Sequence, residues 1–175
     1  MVPTLRKSDG MNVSVQTADF DVGTEIAALT VDDPEAGAVA SFVGLVRADK
    51  LSAQAVGSNV TAMTLEHYPG MTEQALADIV TTARSRWELR AVRVIHRIGR
   101  LLPGERIVFV GVSSSHRGDA FAACEFIMDY LKTQAPFWKK EESPEGPAGE
   151  PRGRWVDARE TDNLAVRRWQ DSEAG

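Results

Sequence analysis

Helix-like and strand-like runs follow one another in the order β, α, β, β, α, β, β, α, which predicts a mixed α+β fold with helices laid on a sheet. Two further observations support it. RGDAFAACEFIMDYLK places Phe121, Cys124, Ile127, Met128 and Leu131 at spacings of three and four, one buried face of a helix. Two β-rich runs, AVRVIHRIG and RIVFVGVSSS, flank LLPGE, where Pro103-Gly104 fits a tight turn, so part of the sheet is an antiparallel hairpin.

From the N-terminus, NVSVQT alternates as a short strand, and DVGTEIAALT reads as a short helix capped by Asp21. DDPEAG breaks the pattern. Ala38 to Arg47, AVASFVGLVR, is apolar enough for a buried strand; Gly44 permits a bulge, and Arg47 falls at the strand's end. The polar, aperiodic stretch at about 48–59 reads as a loop that can lie over a site. VTAMTLEHY returns to a strand, Pro69-Gly70 turns the chain, and MTEQALADIVTTARSRW is a helix whose inward stripe is Leu76, Ile79, Val80, Ala83 and Trp87. Pro136 forbids further helix after Leu131-Lys132, leaving Lys139 with Phe137 and Trp138 in an irregular segment. The Pro/Gly-rich stretch at about 143–153 reads as an exposed loop, and RWVDARETDNLAVRRW as a short strand and a charged helix. A chain of 175 residues with 43% hydrophobic content can bury one sizeable core, so one domain over 1–175 is expected.

Composition narrows the function classes. A net charge of −5 opposes a general nucleic-acid or membrane-surface role, so any anionic ligand must be met by a local basic pocket. No apolar run approaches a bilayer span and MVPTLRKSDG lacks the apolar region of a secretory signal, which makes the cytoplasm the expected compartment. One cysteine excludes an internal disulfide and a multi-thiolate metal site, and Cys124 falls on an apolar helical stripe, where it packs as a small hydrophobe. His67, His96 and His116 lack the spacing of a metal pair, so neither a metal nor a resident cofactor is expected; His67 reads as holding its turn together.

Cationic residues gather instead around two helix ends. Lys132 sits in a last helical turn, where its charge complements the carbonyl end of the dipole, and Lys139 follows the proline; both ammonium groups can face one pocket. SSSHRGDAF has the composition of a helix start, with Ser115 or a neighbouring serine as cap and Asp119 in the first turn. His116 and Arg117 would add side-chain donors to the free N–H groups of an anion site. Tyr68, Trp138 and Trp155 can line a pocket for a flat ring or simply pack.

FVGLVR (Phe42 to Arg47), HYPGM (His67 to Met71), SSSHRGDAF, APFWKKE and RWVDAR, in this order, resemble the catalytic (large) subunit of molybdopterin synthase, and the resemblance covers about 38–169. It implies an α/β hammerhead fold with a small additional antiparallel sheet. It also implies a sulfurtransferase that converts cyclic pyranopterin monophosphate to molybdopterin, with sulfur supplied by the C-terminal Gly-Gly thiocarboxylate of a small ubiquitin-like partner. Lys132 and Lys139 match the family's catalytic lysines, with substrate or tail binding shared among them, Arg47, His116 and Arg117. Desolvation of Lys132 beside other cations would favour its neutral amine, a usable acid, base or nucleophile. Arg159 matches an arginine reaching the neighbouring subunit of a homodimer, within a heterotetramer. A shorter connection usually precedes RWV in the family, so the stretch at 143–153 is a departure. The alternative is a non-catalytic binding or regulatory module for a ubiquitin-like sulfur carrier.

Overall fold

The computed structural model describes residues 11–48, 61–143, 152–156 and 160–171. Its elements are β1 (Met11–Gln16), α1 (Val22–Ala28), β2 (Ala38–Leu45), β3 (Ala62–His67), α2 (Met71–Arg86), β4 (Leu89–Arg97), β5 (Gly99–Leu101), β6 (Arg106–Ser114), α3 (Arg117–Gln134), β7 (Phe137–Ser143), β8 (Arg152–Val156) and α4 (Glu160–Asp171). The expected loop at 48–59 lies outside the described residues apart from Ala48, as does that at 143–153 apart from its strand-forming ends, Ser143, Arg152 and Gly153.

Two four-stranded sheets form. The first runs β1-β4-β6-β2 and is mixed: β1 pairs parallel with β4, while β4-β6 and β6-β2 are antiparallel. The second, β5-β3-β7-β8, is antiparallel throughout. β4 and β6 do form the expected hairpin, but its connection holds β5, which crosses to the second sheet. Pro103-Gly104 makes the turn, with Gly104 at φ +88° and Glu105 N–H donating to Leu102 O at 3.0 Å.

Strand alternation divides the core. Val92 and Val94 of β4, with Val110 and Val112 of β6, meet Leu76, Ile79, Val80 and Ala83 of α2 and Phe126, Ile127 and Leu131 of α3. Ile95 and Phe109 point the other way, onto Phe20 and Leu29 around α1. Asp21 caps α1 as expected, accepting from Thr24 N–H at 2.7 Å. One member of the expected α3 stripe is corrected: Phe121 is 65% exposed, and Phe126 is fully buried in its place, contacting Trp87 and Trp169 edge-on. The stripe is rotated because α3 is covered on a second side by α4, whose Trp169 indole N–H donates to Asp129 at 2.7 Å. No described helix is long and apolar enough to cross a membrane.

At the far end of β4, the His96 ring stacks on Phe137 with centroids 3.7 Å apart and planes 18° from parallel. Burial pushes its imidazole down to about 4 from 6.5, against the opposing pull of its contact with the Arg97 carbonyl, which leaves it neutral. The unfolded chain takes up this proton near 6.5 and the folded chain only near 4, so stability falls as pH drops through that window. The loss approaches roughly 3 kcal/mol by pH 4. Asp19, held at about 2 chiefly by Arg106, loses its contribution below that range. Urea midpoints from pH 7 to 4 should therefore slope downward in the wild type and flatten in His96→Gln. At Gly37 a Cβ would lie 2.3 Å from the Ser115 carbonyl oxygen, so Gly37→Ala should cost roughly 2 kcal/mol of unfolding free energy in the same titration.

Candidate functional site

The reversal from α3 to β7 places the two lysines. α3 runs to Gln134 because its buried residues keep helical spacing, and Ala135 is already extended, at φ −77° and ψ 126°, as the residue before a proline prefers. The segment after Pro136 is strand rather than irregular, since it finds β3 as an antiparallel partner: Phe137 pairs with His67, Lys139 with Leu65, Glu141 with Met63. Lys132 is exposed in the last turn of α3, at the rim of a groove of about 410 Å³ between α3 and β2 that is lined by Ala40, Phe42, Phe121, Cys124, Met128 and Asp129 among others.

Lys139 is half-buried, its Nζ 3.0 Å from Oε1 of Glu141, a close ion pair whose angle falls short of a hydrogen bond. Glu141 is itself only 6% exposed. A buried carboxylate is held there by its cation, and sequence reading missed it. The signal was present: residues two apart on a strand share a face, and KKEE sets a carboxylate two residues after each lysine.

The same alternation corrects the aromatic expectation. Trp138 adjoins Lys139 on the strand and so projects from the opposite face, where Trp155, paired with Lys140, joins it; both rings are exposed, at 47% and 53%. They do not line a pocket with Lys139. Tyr68 is also exposed.

Arg47 is exposed, two residues beyond β2. Its base is fixed: the register of β2 shifts at Gly44/Leu45 as expected, buried Val46 donates its N–H to Glu105 O at 2.9 Å, and Gly104 N–H returns to Val46 O at 2.8 Å. Because β2 and β6 are antiparallel and α3 folds back along β6, the end of β2, the end of α3 and the start of β7 lie at one end of the first sheet. Arg47 and Lys132 thereby lie toward that end, and Lys139 follows three residues beyond Pro136, on β7 of the second sheet.

His116 and Arg117 stand at the other end. His116 is the N-cap of α3 and both side chains are exposed. The expected serine cap is corrected: Ser114 Oγ accepts from His116 N–H at 3.2 Å, just outside the helix, and donates to Glu88 O at 2.8 Å, since β6 carries Ser114 too far back to reach the first turn. Fifteen residues separate Arg117 from Lys132, about 22 Å of helix, so one protomer does not bring all five residues to one small ligand. Arg159 lies outside the described residues.

The other histidines have structural partners. His67 Nε2 is 3.4 Å from Glu73, whose other oxygen accepts from Gly70 N–H at 2.7 Å, so it does hold the turn into α2. Cys124 is buried, and burial lifts its thiol to about 11, out of reach of thiolate chemistry at neutral pH. A larger concavity of about 720 Å³ lies between α1 and the Pro103-Gly104 turn. Its Asp19, Glu105 and Arg106, with neighbouring Arg97, pair among themselves, and none of the expected site residues lines it.

Residues 15–134 match the family model described as MoaE protein. The molybdopterin synthase catalytic subunit of Ralstonia nicotianae is 58% identical over 157 residues, covering 90% of this chain and 83% of the relative. Among solved structures, the molybdopterin biosynthesis MoaE protein of Burkholderia ambifaria is 52% identical, with a TM-score of 0.73 over 91% of this chain and 97% of that one. The fold alone is shared with a chain from the protein–protein complex of subunits 1 and 2 of the Helicobacter pylori molybdopterin-converting factor, at 18% identity and a TM-score of 0.61, over 74% of this chain and 83% of that one. With two thirds of its length inside the family model and relatives this similar along nearly all of it, the chain belongs to the MoaE family, the catalytic subunits of molybdopterin synthase, enzymes of molybdenum cofactor biosynthesis.

Proposed function

We propose that this chain moves sulfur from the C-terminal thiocarboxylate of a small ubiquitin-like partner to cyclic pyranopterin monophosphate, two sulfurs in succession forming the dithiolene of molybdopterin. The observation that carries this reading is that the end of β2, the end of α3 and the start of β7, which bear Arg47, Lys132 and Lys139, lie toward one end of the first sheet. Substrate phosphate and carrier tail are both anionic, and bringing them together requires cations between them. Arg47 has the forked donors suited to phosphate. Lys132 serves the chemistry, moving protons as oxygen leaves and sulfur enters; Lys139, steadied by Glu141, binds the tail or the phosphate. A relative named a catalytic subunit implies a further subunit, and the Helicobacter pylori protein is a complex of two. The reaction takes place in the cytoplasm and needs no resident metal or cofactor.

Lys132 is exposed in the single chain, so the exclusion of water around it has to come from what docks upon it. The separation of His116 and Arg117 from Lys132 gives the homodimer its purpose: each site takes Lys132 and Lys139 from one protomer and His116, Arg117 and Arg159 from its partner. A carrier on each half of this dimer makes the heterotetramer. A non-catalytic carrier-binding module would have no use for this division, and the relatives' catalytic name opposes it.

In a reconstituted assay with thiocarboxylated carrier and cyclic pyranopterin monophosphate, Lys132→Ala should lower turnover by roughly 10²- to 10⁴-fold while remaining folded and dimeric. Product formation at the wild-type rate would remove Lys132 from the chemistry. Arg117→Ala should be impaired as well. A mixed dimer of Lys132→Ala and Arg117→Ala protomers, isolated through two different tags, carries one intact site of two and should recover about half the wild-type rate. A mixed dimer as inactive as its parents would place all the groups within one protomer.

A further inference from the structure

Between the two lysines the chain changes from helix to strand at Pro136, which has no N–H and offers only its carbonyl for a main-chain hydrogen bond. That carbonyl accepts from the hydroxyl of Thr72 at 3.0 Å. Thr72 is fully buried in the first turn of α2, 64 residues earlier, and its hydroxyl oxygen also accepts from Tyr68 N–H at 3.1 Å, within the HYPGM turn. One hydroxyl therefore fastens the turn into α2 to the pivot of the α3–β7 reversal, with both its donor and its acceptor capacity in use. The next residue, Phe137, is held by its stack on His96.

We propose that Thr72 is a positioning residue for sulfur transfer: it fixes the Pro136 pivot and thereby the relative placement of Lys132, four residues before, and Lys139, three residues after. This inference rests on the reading that those lysines act in the reaction. With 0% of its surface exposed, Thr72 touches neither substrate nor carrier. Its hydroxyl acts on the lysines through the backbone of the reversal, and misplacement on the scale of an ångström at a reacting group is costly. The proposal also gives the HYPGM segment a role, since it supplies the fixed point against which the lysine-bearing reversal is held.

The test uses the full chain with the thiocarboxylated carrier and cyclic pyranopterin monophosphate, comparing wild type, Thr72→Val, Thr72→Ser, Lys132→Ala and Lys139→Ala, with folding followed by circular dichroism. Thr72→Val keeps the shape and removes the hydroxyl; it should lower kcat about ten- to a hundredfold with KM for the carrier nearly unchanged, while Thr72→Ser restores kcat. A folded Thr72→Val at the wild-type kcat, or a Thr72→Ser as slow as the valine variant, overturns the proposal while leaving the lysines' role intact. Lysine variants that turn over like wild type overturn the functional reading itself, and this inference with it. Should Thr72→Val fail to fold, Thr72→Ala decides, because it removes the same hydroxyl and asks the buried site to hold less bulk. A folded Thr72→Ala with lowered kcat supports the proposal, and one at the wild-type kcat overturns it.

Discussion

Strand β6 is the constraint on which the rest of the structure depends. It is buried from Val108 to Ser114, pairs on both sides with β4 and β2, and runs through only Ser115 and His116 into α3. A strand without solvent contact must satisfy its backbone in the ladders and its side chains in the core, so its register fixes β2 and β4, and its direction fixes the path of α3. The ends of β6 thus assign each cationic group to one end of the sheet or the other. The cationic groups of the candidate site are placed by the packing of a strand that carries none of them.

How much of this the sequence revealed depended on the kind of signal. The elements with strong periodicity, α2 and the inward residues of α3, and the Asp21 cap, the Gly44 bulge and the Pro103-Gly104 turn, were legible because each rests on local chemistry. Phe121 and Phe126 were exchanged because both lie near the edge of the apolar stripe, and Trp87 after α2 together with Trp169 of α4 decides which is covered. β7 was hidden because FWKKEES does not alternate apolar with polar in the usual way; it is a strand because β3 is there to pair with it, a tertiary fact. Lys132, Lys139 and Arg47 were singled out from motif and chemistry. Their separation from His116 and Arg117 was already implicit in a helix that opens at SSSHRGDAF and holds Lys132 in its last turn.

The site is built from unlike kinds of support. Arg47 projects from a base pinned by two backbone hydrogen bonds, Lys139 from a paired strand with a buried carboxylate two residues on, and Lys132 from the last turn of a helix. Rigid backbone beneath long side chains would suit the proposed reaction, in which a carrier tail enters and leaves: the frame stays fixed while the charged ends adapt. Burial of Cys124 keeps the chain's own sulfur out of that chemistry.

The alternation of β7 has a further consequence for how this segment tolerates change. Its residues come as doublets, Lys139-Lys140 and Glu141-Glu142, so sliding the strand by one position along β3 would again turn a lysine and a glutamate toward the inner face. The charges of the inner face alone would barely distinguish the two frames. What distinguishes them is bulk on that face and polar pairing on the other: the slipped frame would seat Trp138 where Phe137 stacks on His96 and would strip Glu142 from Arg100 and Thr64. The reading frame of a charged segment is thus kept by a phenylalanine, a histidine and a threonine.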